Sequence, residues 1–223
     1  MRKRWRWVGV FTPDAMLCAG DARIGPFPKR WWALALPDGT LHRGGRAVIR
    51  LELEENAGVE VTSTTPDGNR IWTRKQGGIP ARARLEAGGR EYELDGRAIV
   101  DDSEGEHDRR TSWRWCAGVG TADDGAPLAW NLVDGIHDAP AASERRVWRD
   151  GEPAEVGPVE FAPDLSGVSG LAFCAWSELT ENLNLLVLRS RYRQLFGSFS
   201  GELPDGSRVR DGYGVMEEHD ALW

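Results

Sequence analysis

Two acidic residues that each precede a histidine are the groups in this sequence best suited to proton transfer. Asp134 precedes His137 in the segment NLVDGIHDAP, and Glu217 precedes His219 in the segment GVMEEHDALW. A carboxylate that orients an imidazole is a common arrangement for a general acid or base. We predict that Asp134, Glu217 and His219 are catalytic if the protein is an enzyme, with His137 as a further candidate. The alternative is that these histidines are solvated loop residues.

The sequence carries no standard catalytic, cofactor or metal motif. It has no G-x-S-x-G, no P-loop, no G-x-G-x-x-G after a strand and no H-E-x-x-H. The four histidines lack zinc-site spacing, and Cys18, Cys116 and Cys174 form no C-x-x-C pair. We predict no metal and no cofactor, and we expect the cysteines to be reduced, buried thiols of a cytoplasmic protein.

Tryptophan is abundant, with 11 residues in the chain. The motif W-R-W occurs at residues 5–7 and again at residues 113–115, and its alternation would direct both indoles of a pair to one face of a strand. We expect such a pair to form the floor of the core of its own half. The functional alternative is that some indoles line a ligand cavity, for which the candidates are Trp113, Trp115 and Trp130.

Two further polar features could contact a ligand. Asn131 would share a strand face with Val133 and present a buried amide, or it could satisfy a backbone group at a bulge or turn. Arg189, Arg191 and Arg193 would form a row that could bind an anionic group, or an exposed charged strand face.

Composition excludes several classes of function. The 223 residues carry a net charge of −7 and no long basic run, so we predict no nucleic-acid partner. Only three lysines accompany the many arginines, a bias to which we assign no function. No segment has the apolar length of a membrane span, and Arg6, Pro13 and Asp14 interrupt any signal-peptide core.

Turn residues and alternating hydrophobicity predict an antiparallel all-β protein. Asp-Gly occurs eight times, at 38–39, 67–68, 95–96, 124–125, 134–135, 150–151, 205–206 and 211–212, and each pair predicts a strand reversal. The segments between them alternate with period two, as Leu183, Leu185 and Val187 do in NLNLLVLRSR. A helix from Ser177 or Thr180 is the alternative there, and a short helix within 139–149 is also possible.

The repeated W-R-W motif indicates two similar halves, each opened by a tryptophan strand. The polar segment 101–110 lies between the two motifs and predicts the boundary. We therefore divide the chain into an N-terminal β half, residues 1–107, and a C-terminal β half, residues 108–223. Each is predicted to be a barrel or sandwich.

Several segments resemble the family catalogued as domain of unknown function 2804. They are KRWRWVGVFTPD at 3–14, WNLVDG at 130–135, VWRDGE at 147–152, RYRQLFGSFSGEL at 191–203 and the ending from Gly214 to Trp223. The family has no established activity, and it looks like lipocalin-like proteins with paired β-barrels, such as carotenoid hydratases and tocopherol cyclases. The resemblance implies a longer first half, so the first barrel could be truncated. It directs attention to Asn131, Asp134, Gly135, Trp148, Gln194, Phe196, Gly197, Glu217, His219 and Trp223.

These features lead to two functional hypotheses of different classes. In the first, the protein binds a hydrophobic or amphipathic small molecule in a Trp-lined barrel cavity formed by Trp113, Trp115, Trp130, Asn131, His137, Trp148 and Gln194. In the second, it is an isomerase, cyclase or hydratase in which Glu217 or Asp134 protonates a carbon–carbon double bond of a terpenoid-like substrate. A structural module with a filled core is the third reading.

Overall fold

The computed structural model describes residues 2–44, 47–185 and 188–222, which form sixteen β-strands and no helix. Trp223 and Val187 lie outside the described residues. The strands are β1 (Arg2–Phe11), β2 (Met16–Ile24), β3 (Phe27–Ala35), β4 (Leu41–Gly44), β5 (Ile49–Leu53), β6 (Val59–Thr64), β7 (Arg70–Ala87), β8 (Arg90–Glu106), β9 (Arg110–Ala122), β10 (Pro127–Asp134), β11 (Arg146–Arg149), β12 (Glu152–Glu155), β13 (Gly167–Val168), β14 (Leu171–Leu185), β15 (Leu188–Glu202) and β16 (Arg208–Leu222).

The strands form two antiparallel sheets of eight, and the predicted all-β class with two similar halves is confirmed. The first sheet has the order β4-β3-β2-β1-β8-β7-β5, with β6 also paired to β7. The second has the order β12-β11-β10-β9-β16-β15-β14-β13. In both, the opening strand pairs with the next strand and with a strand late in the same half, so that β1 and β9 occupy equivalent places. These are the two W-R-W strands.

Most predicted turns are confirmed, and two are wrong. Asp95-Gly96 lies inside β8 and Asp211-Gly212 lies inside β16. A Cβ atom at Gly96 would stand 2.5 Å from the Phe11 carbonyl oxygen, and Gly212 lies beside an irregularity in the pairing of β16 with β9. These glycines therefore permit close backbone approach within a strand rather than a reversal of the chain.

Two other local expectations also need correction. The segment 139–149 is not helical, because its first part is a bent connection and its end is β11. Residues Asp101–Glu106 of the segment predicted as the boundary belong to β8, where Asp101 and Ser103 are buried. The polar side chains of Asp101 and Ser103 therefore lie inside the protein and not in an exposed connection. The predicted division after residue 107 falls between β8 and β9. That residues 1–107 and 108–223 are separate folding units stays a prediction.

Within the described part of the chain, three apolar clusters stabilise the structure. One lies within the first half and includes Val8 and Val10, and one lies within the second half and includes Trp130. The third joins the two halves, and it contains Trp7 and Trp115. Their rings meet edge to face, with centroids 4.9 Å apart. The W-R-W strands therefore do not floor separate cores, as the sequence led us to expect: each directs an indole toward the other sheet.

The described residues include no helix that is apolar and long enough to cross a membrane.

Candidate functional site

A group of polar side chains lies between the two sheets, beside the shared apolar cluster. It follows from strand alternation: Trp7 is opposite Asp101 in register, and Asp101 is opposite Lys75, so these side chains share the inner face of the first sheet. On the second sheet, Trp115 is opposite Glu217 and Glu217 is opposite Gln194. We define the inter-sheet site as Lys75, Asp101, Glu144, Tyr192, Gln194, Glu217 and His219.

Glu217 is the acidic side chain that β16 contributes to this site. Its side chain is buried, Trp113 Nε1 donates to Oε1 at 2.8 Å, and the Tyr192 hydroxyl donates to Oε2 at 2.8 Å. Burial raises the pKa of Glu217 to about 7, although the hydrogen bonds from Trp113 and Tyr192 oppose that rise. Both protonation states are therefore accessible near neutral pH, which suits a group that gives and takes a proton.

Tyr192 connects Glu217 to the first sheet. Its hydroxyl also lies within hydrogen-bond distance of Gln194 Oε1, and Gln194 Nε2 lies 3.4 Å from Cys18 Sγ. One hydroxyl proton can serve only one acceptor at a time, so donation to Gln194 leaves the Tyr192 oxygen free to accept from protonated Glu217. Burial raises the pKa of both Tyr192 and Cys18, which keeps them protonated. Each state of Glu217 thus has a hydrogen-bond arrangement that satisfies it.

His219 lies next to Glu217 in the cluster but is not its partner. Its Nε2 is 2.8 Å from Ser190 Oγ, and its ring meets Trp113 edge to face at 4.4 Å. Burial lowers the pKa of His219 to about 3, so the imidazole is neutral at physiological pH. The expected orientation of this histidine by Glu217 is replaced by contacts with Ser190 and Trp113.

An ion cluster joins the two halves at the other end of the site. Lys75 Nζ lies 2.5 Å from Asp101 Oδ1 and 3.3 Å from Glu144 Oε1, and all three residues are buried. Burial opposes the charge on Lys75, but Asp101 and Glu144 outweigh it and raise its pKa above the ordinary value. Burial raises the pKa of Asp101. One cation between two acidic side chains leaves this end of the site with an excess of acid groups.

Asn131 holds the connection that carries Glu144. Its Oδ1 accepts from Trp115 Nε1 at 2.8 Å, and its Nδ2 donates to the Glu144 carbonyl at 2.9 Å. The amide is fully buried and both ends are used. Of the two roles considered for Asn131, the structure shows contact with a backbone group.

The other sequence candidates occupy three kinds of place. His137 is buried against the first sheet, with Nδ1 2.5 Å from Ser63 Oγ, and burial lowers its pKa to about 4. Trp148 also packs across the sheets, against Gly77, whereas Trp130 lies in the internal core of the second half. Asp134 is exposed at the end of β10, away from Glu217.

The solvated-loop reading is wrong for three histidines, since His107, His137 and His219 are all buried. The arginine row does not form a common site either, because Arg193 pairs with Glu178 and Arg189 is exposed.

Sequence reasoning missed four of the seven residues of the inter-sheet site. Lys75, Asp101, Glu144 and Tyr192 were not singled out, because their relation depends on pairing between distant strands. One signal was available in the lysine count. Of the three lysines, Lys3 and Lys75 are buried, and burial lowers the pKa of Lys3 to about 6.

Two open surface clefts, of about 350 and 420 Å³, lie elsewhere on the molecule. One is bordered by Trp176 and Arg193 and the other by Trp72 and Arg70. Neither is lined by the residues predicted to form the Trp-lined cavity, and Arg193 of the predicted arginine row borders the first. Among the described residues, no group of three or more histidine, cysteine or acidic side chains has the arrangement of a metal site.

Comparisons with known proteins bear on the fold. The family model described as domain of unknown function 2804 matches residues 40–223. No curated protein matches the sequence. Kievitone hydratase from Nectria haematococca is similar in structure, with a TM-score of 0.52 and 12% identity, over 97% of this chain and 88% of that one.

Two further solved structures are more distant. A candidate AttH from Nitrosomonas europaea has a TM-score of 0.47 and 12% identity, over 98% of this chain and 92% of that one. CghA with Sch210972 has a TM-score of 0.44 and 8% identity, over 99% of this chain and 88% of that one. We take from the hydratase comparison the fold alone, which is lipocalin-like.

Proposed function

The chain belongs to the family of domain of unknown function 2804, and from its geometry we propose that this member binds a hydrophobic or amphipathic small molecule at the inter-sheet site and protonates it with Glu217. The observation that carries this proposal is the Glu217 carboxyl, buried, with its pKa raised to about 7 and its oxygens held by Trp113 and Tyr192. A pKa near the working pH is what proton transfer requires.

Aromatic side chains around Glu217 fit an unsaturated, apolar ligand. The rings of Trp113, Tyr192 and His219 pack together at this acid, and Trp113 is only partly buried. When an acid protonates a carbon–carbon double bond, a carbocation forms, and indole and phenol faces stabilise a cation. We place the ligand against these rings, with its reacting carbon at the Glu217 carboxyl.

The proposed step balances without a cofactor. The Glu217 O–H bond breaks as a C–H bond forms, which leaves a carboxylate and a carbocation. The carboxylate, stabilised by the donors Trp113 and Tyr192, then takes a proton either from a neighbouring carbon or from water that adds to the cation. The first outcome is an isomerisation and the second is a hydration.

Deuterium uptake tests this proposal across a whole class of unsaturated substrates. The protein would be incubated in D₂O with a panel of unsaturated terpenoid alcohols, and deuterium bound to carbon would be measured by mass spectrometry. We expect uptake by the wild type and a loss of about 100-fold or more in Glu217→Gln. The matched control is Glu218→Gln, because the neighbouring Glu218 pairs with Arg114 on the opposite face and should retain activity.

Equal uptake by wild type and Glu217→Gln would refute the assignment of the acid. Binding without any uptake would leave the second candidate, a non-catalytic binding protein. That candidate is favoured by the partly buried indole of Trp113, whose fluorescence would report a ligand.

A further inference from the structure

Several buried polar atoms near Lys75 have no hydrogen-bond partner among the described residues. They are Thr73 Oγ1, Ser103 Oγ, Trp7 Nε1, His137 Nε2 and Glu144 Oε2. Thr73 and Ser103 are each 1% exposed, and Glu144 is 2% exposed. Buried polar groups are normally paired, because an unpaired one loses its contact with water without compensation. Five in one region therefore require an explanation.

Thr73 and Ser103 form one wall of this region. They are directly opposite in the pairing of β7 with β8, and Ser103 is opposite Trp5 in the pairing of β8 with β1. The next inward-facing position on each strand brings Lys75, Asp101 and Trp7. The two hydroxyls thus stand beside the ion cluster, on the face of the first sheet that looks toward the second half.

The opposite wall comes from the connection between β10 and β11. His137 reaches Ser63 of β6, whose neighbour Val61 pairs with Thr73. Glu144 reaches Lys75, two residues from Thr73. The unpaired Nε2 and Oε2 atoms therefore lie over the strands that carry the two hydroxyls, and the connection covers the first sheet at this point.

The chemistry of the two walls favours a hydroxyl group over an acid. A hydroxyl both donates and accepts, as Thr73 and Ser103 do, and it can donate to Glu144 or accept from Trp7. A ligand carboxylate would face Asp101 and Glu144, which already outnumber Lys75. An aliphatic end would leave all five polar atoms unpaired.

We infer that Thr73 and Ser103, with His137 and Glu144 opposite them, form a subsite that binds the hydroxyl end of the ligand. This inference rests on the proposed function and adds the substrate class: an amphipathic alcohol or phenol whose polar end lies at β7 and β8. Its apolar part then extends toward Trp113 and Glu217.

A matched pair of probes tests the subsite. Farnesol and farnesyl methyl ether differ only in that the hydroxyl hydrogen of the first is a methyl group in the second. Neither compound absorbs light at the wavelengths at which tryptophan is excited and emits, so the binding of each can be measured by tryptophan fluorescence. We expect the wild type to bind farnesol about tenfold more tightly than the ether, which is about 1.4 kcal/mol. The double variant Thr73→Val with Ser103→Ala should lose this preference and keep the affinity for the ether.

Two measurements separate binding from folding. Removing hydroxyls that are unpaired in the free protein should leave the melting temperature unchanged or raise it, whereas a structural role would lower it. The control is Thr62→Val with Ser200→Ala, which removes the same groups from exposed positions and should keep the preference. Ser103→Ala alone, a smaller change, should lose part of it.

Each outcome decides between the two proposals. Equal affinity for both probes in the wild type, or an unchanged preference in the double variant, would overturn the subsite while the proposed function stands. Failure of both probes to bind would overturn the subsite, whereas the proposed function is decided separately by the deuterium uptake of wild type and Glu217→Gln. Loss of preference with a lowered melting temperature would assign Thr73 and Ser103 to folding and overturn the subsite.

Discussion

At the scale of single residues, the ionisation of Glu217 is linked to the stability of the whole fold. Because its pKa is raised to about 7 in the folded protein, the folded state keeps a proton between about pH 4.5 and pH 7 that the unfolded state has released. The contribution of Glu217 to the free energy of unfolding is therefore at its maximum below about pH 4.5 and is lost as the pH rises to about 7.

We predict that the free energy of unfolding of Glu217→Gln rises by about 3 kcal/mol relative to that of wild type as the pH rises from about 5 to about 8, because glutamine cannot ionise. Urea unfolding across this range measures the difference, and comparison of the two proteins cancels the titration of the buried histidines. Glu218→Gln should follow the wild-type pH dependence. A constant difference between wild type and Glu217→Gln would show that the folded pKa of Glu217 is not raised.

Lys75 permits a second prediction at this scale. Replacing it by methionine leaves Asp101 and Glu144 buried together without a cation, which should cost about 3–5 kcal/mol. Lys29→Met is the matched control: Lys29 lies 2.5 Å from Glu181 at the surface, and its loss should cost at most about 1 kcal/mol. Equilibrium unfolding in urea compares the two, and equal effects would contradict the role assigned to Lys75.

The candidate site could be predicted from sequence only where its residues are local. Glu217 and His219 stood out because an acid and a histidine are close in the chain. Lys75, Asp101 and Glu144 come from β7, β8 and a connection in the other half, so no spacing in the sequence indicates that they meet. The state of His219 was also hidden, because burial between the sheets, and not its neighbour in sequence, lowers its pKa.

At the scale of strands, glycines fix where the large rings can lie. Gly118 of β9 lies under Trp130, and a Cβ atom there would stand 2.5 Å from the indole and 2.7 Å from the Tyr213 carbonyl oxygen. Trp130 is fully buried, so its ring has no room to move away. Gly118, one of the small residues that follow the second W-R-W motif, therefore leaves the space that the ring of Trp130 occupies.

We predict that Gly118→Ala destabilises the protein by about 1–3 kcal/mol through overpacking. Gly157→Ala is the control, because no atom lies within 4 Å of a Cβ at that position, and its effect should stay within about 0.5 kcal/mol. The urea midpoint of each variant is the measurement. Equal stability of the two variants would mean that Trp130 can shift.

Strand positions followed from alternation and turn residues, but some Asp-Gly pairs misled. The reversals at 38–39 and 205–206 occur at strand ends, whereas 95–96 and 211–212 lie inside long strands. A turn requires the chain to leave its partner, and the partner of Gly96 stays in register as Ala81. Such long-range pairing is absent from any local pattern, and it decides between a turn and a strand glycine.

At the scale of the whole molecule, the cluster shared by the sheets should couple the two halves. Trp7 of the first sheet and Trp115 of the second are both buried in this cluster, and their rings are in contact across the two sheets. We predict one cooperative unfolding transition, in which tryptophan fluorescence and far-ultraviolet circular dichroism change at the same denaturant concentration. Two separate transitions would contradict it.

Trp7→Ala should weaken this coupling, at a cost of about 3–5 kcal/mol. Trp72→Ala, at a partly buried position on the other face of β7, should cost less and leave the transition single. The apolar cluster around Trp130 in the second half does not include Trp7. If the second half of Trp7→Ala unfolds in a transition of its own, the coupling between the halves lies at the contact between the sheets.

The placement of the lysines has a practical consequence for labelling this protein. Lys3 and Lys75 are shielded between the sheets, whereas the Lys29 side chain is 53% exposed. An amine-reactive dye directed at lysine should therefore attach at Lys29. Its ammonium group lies 5.5 Å from the centre of the Trp31 ring, so the dye would stand next to an intrinsic fluorophore and could report by energy transfer on movements at this edge of the contact between the halves.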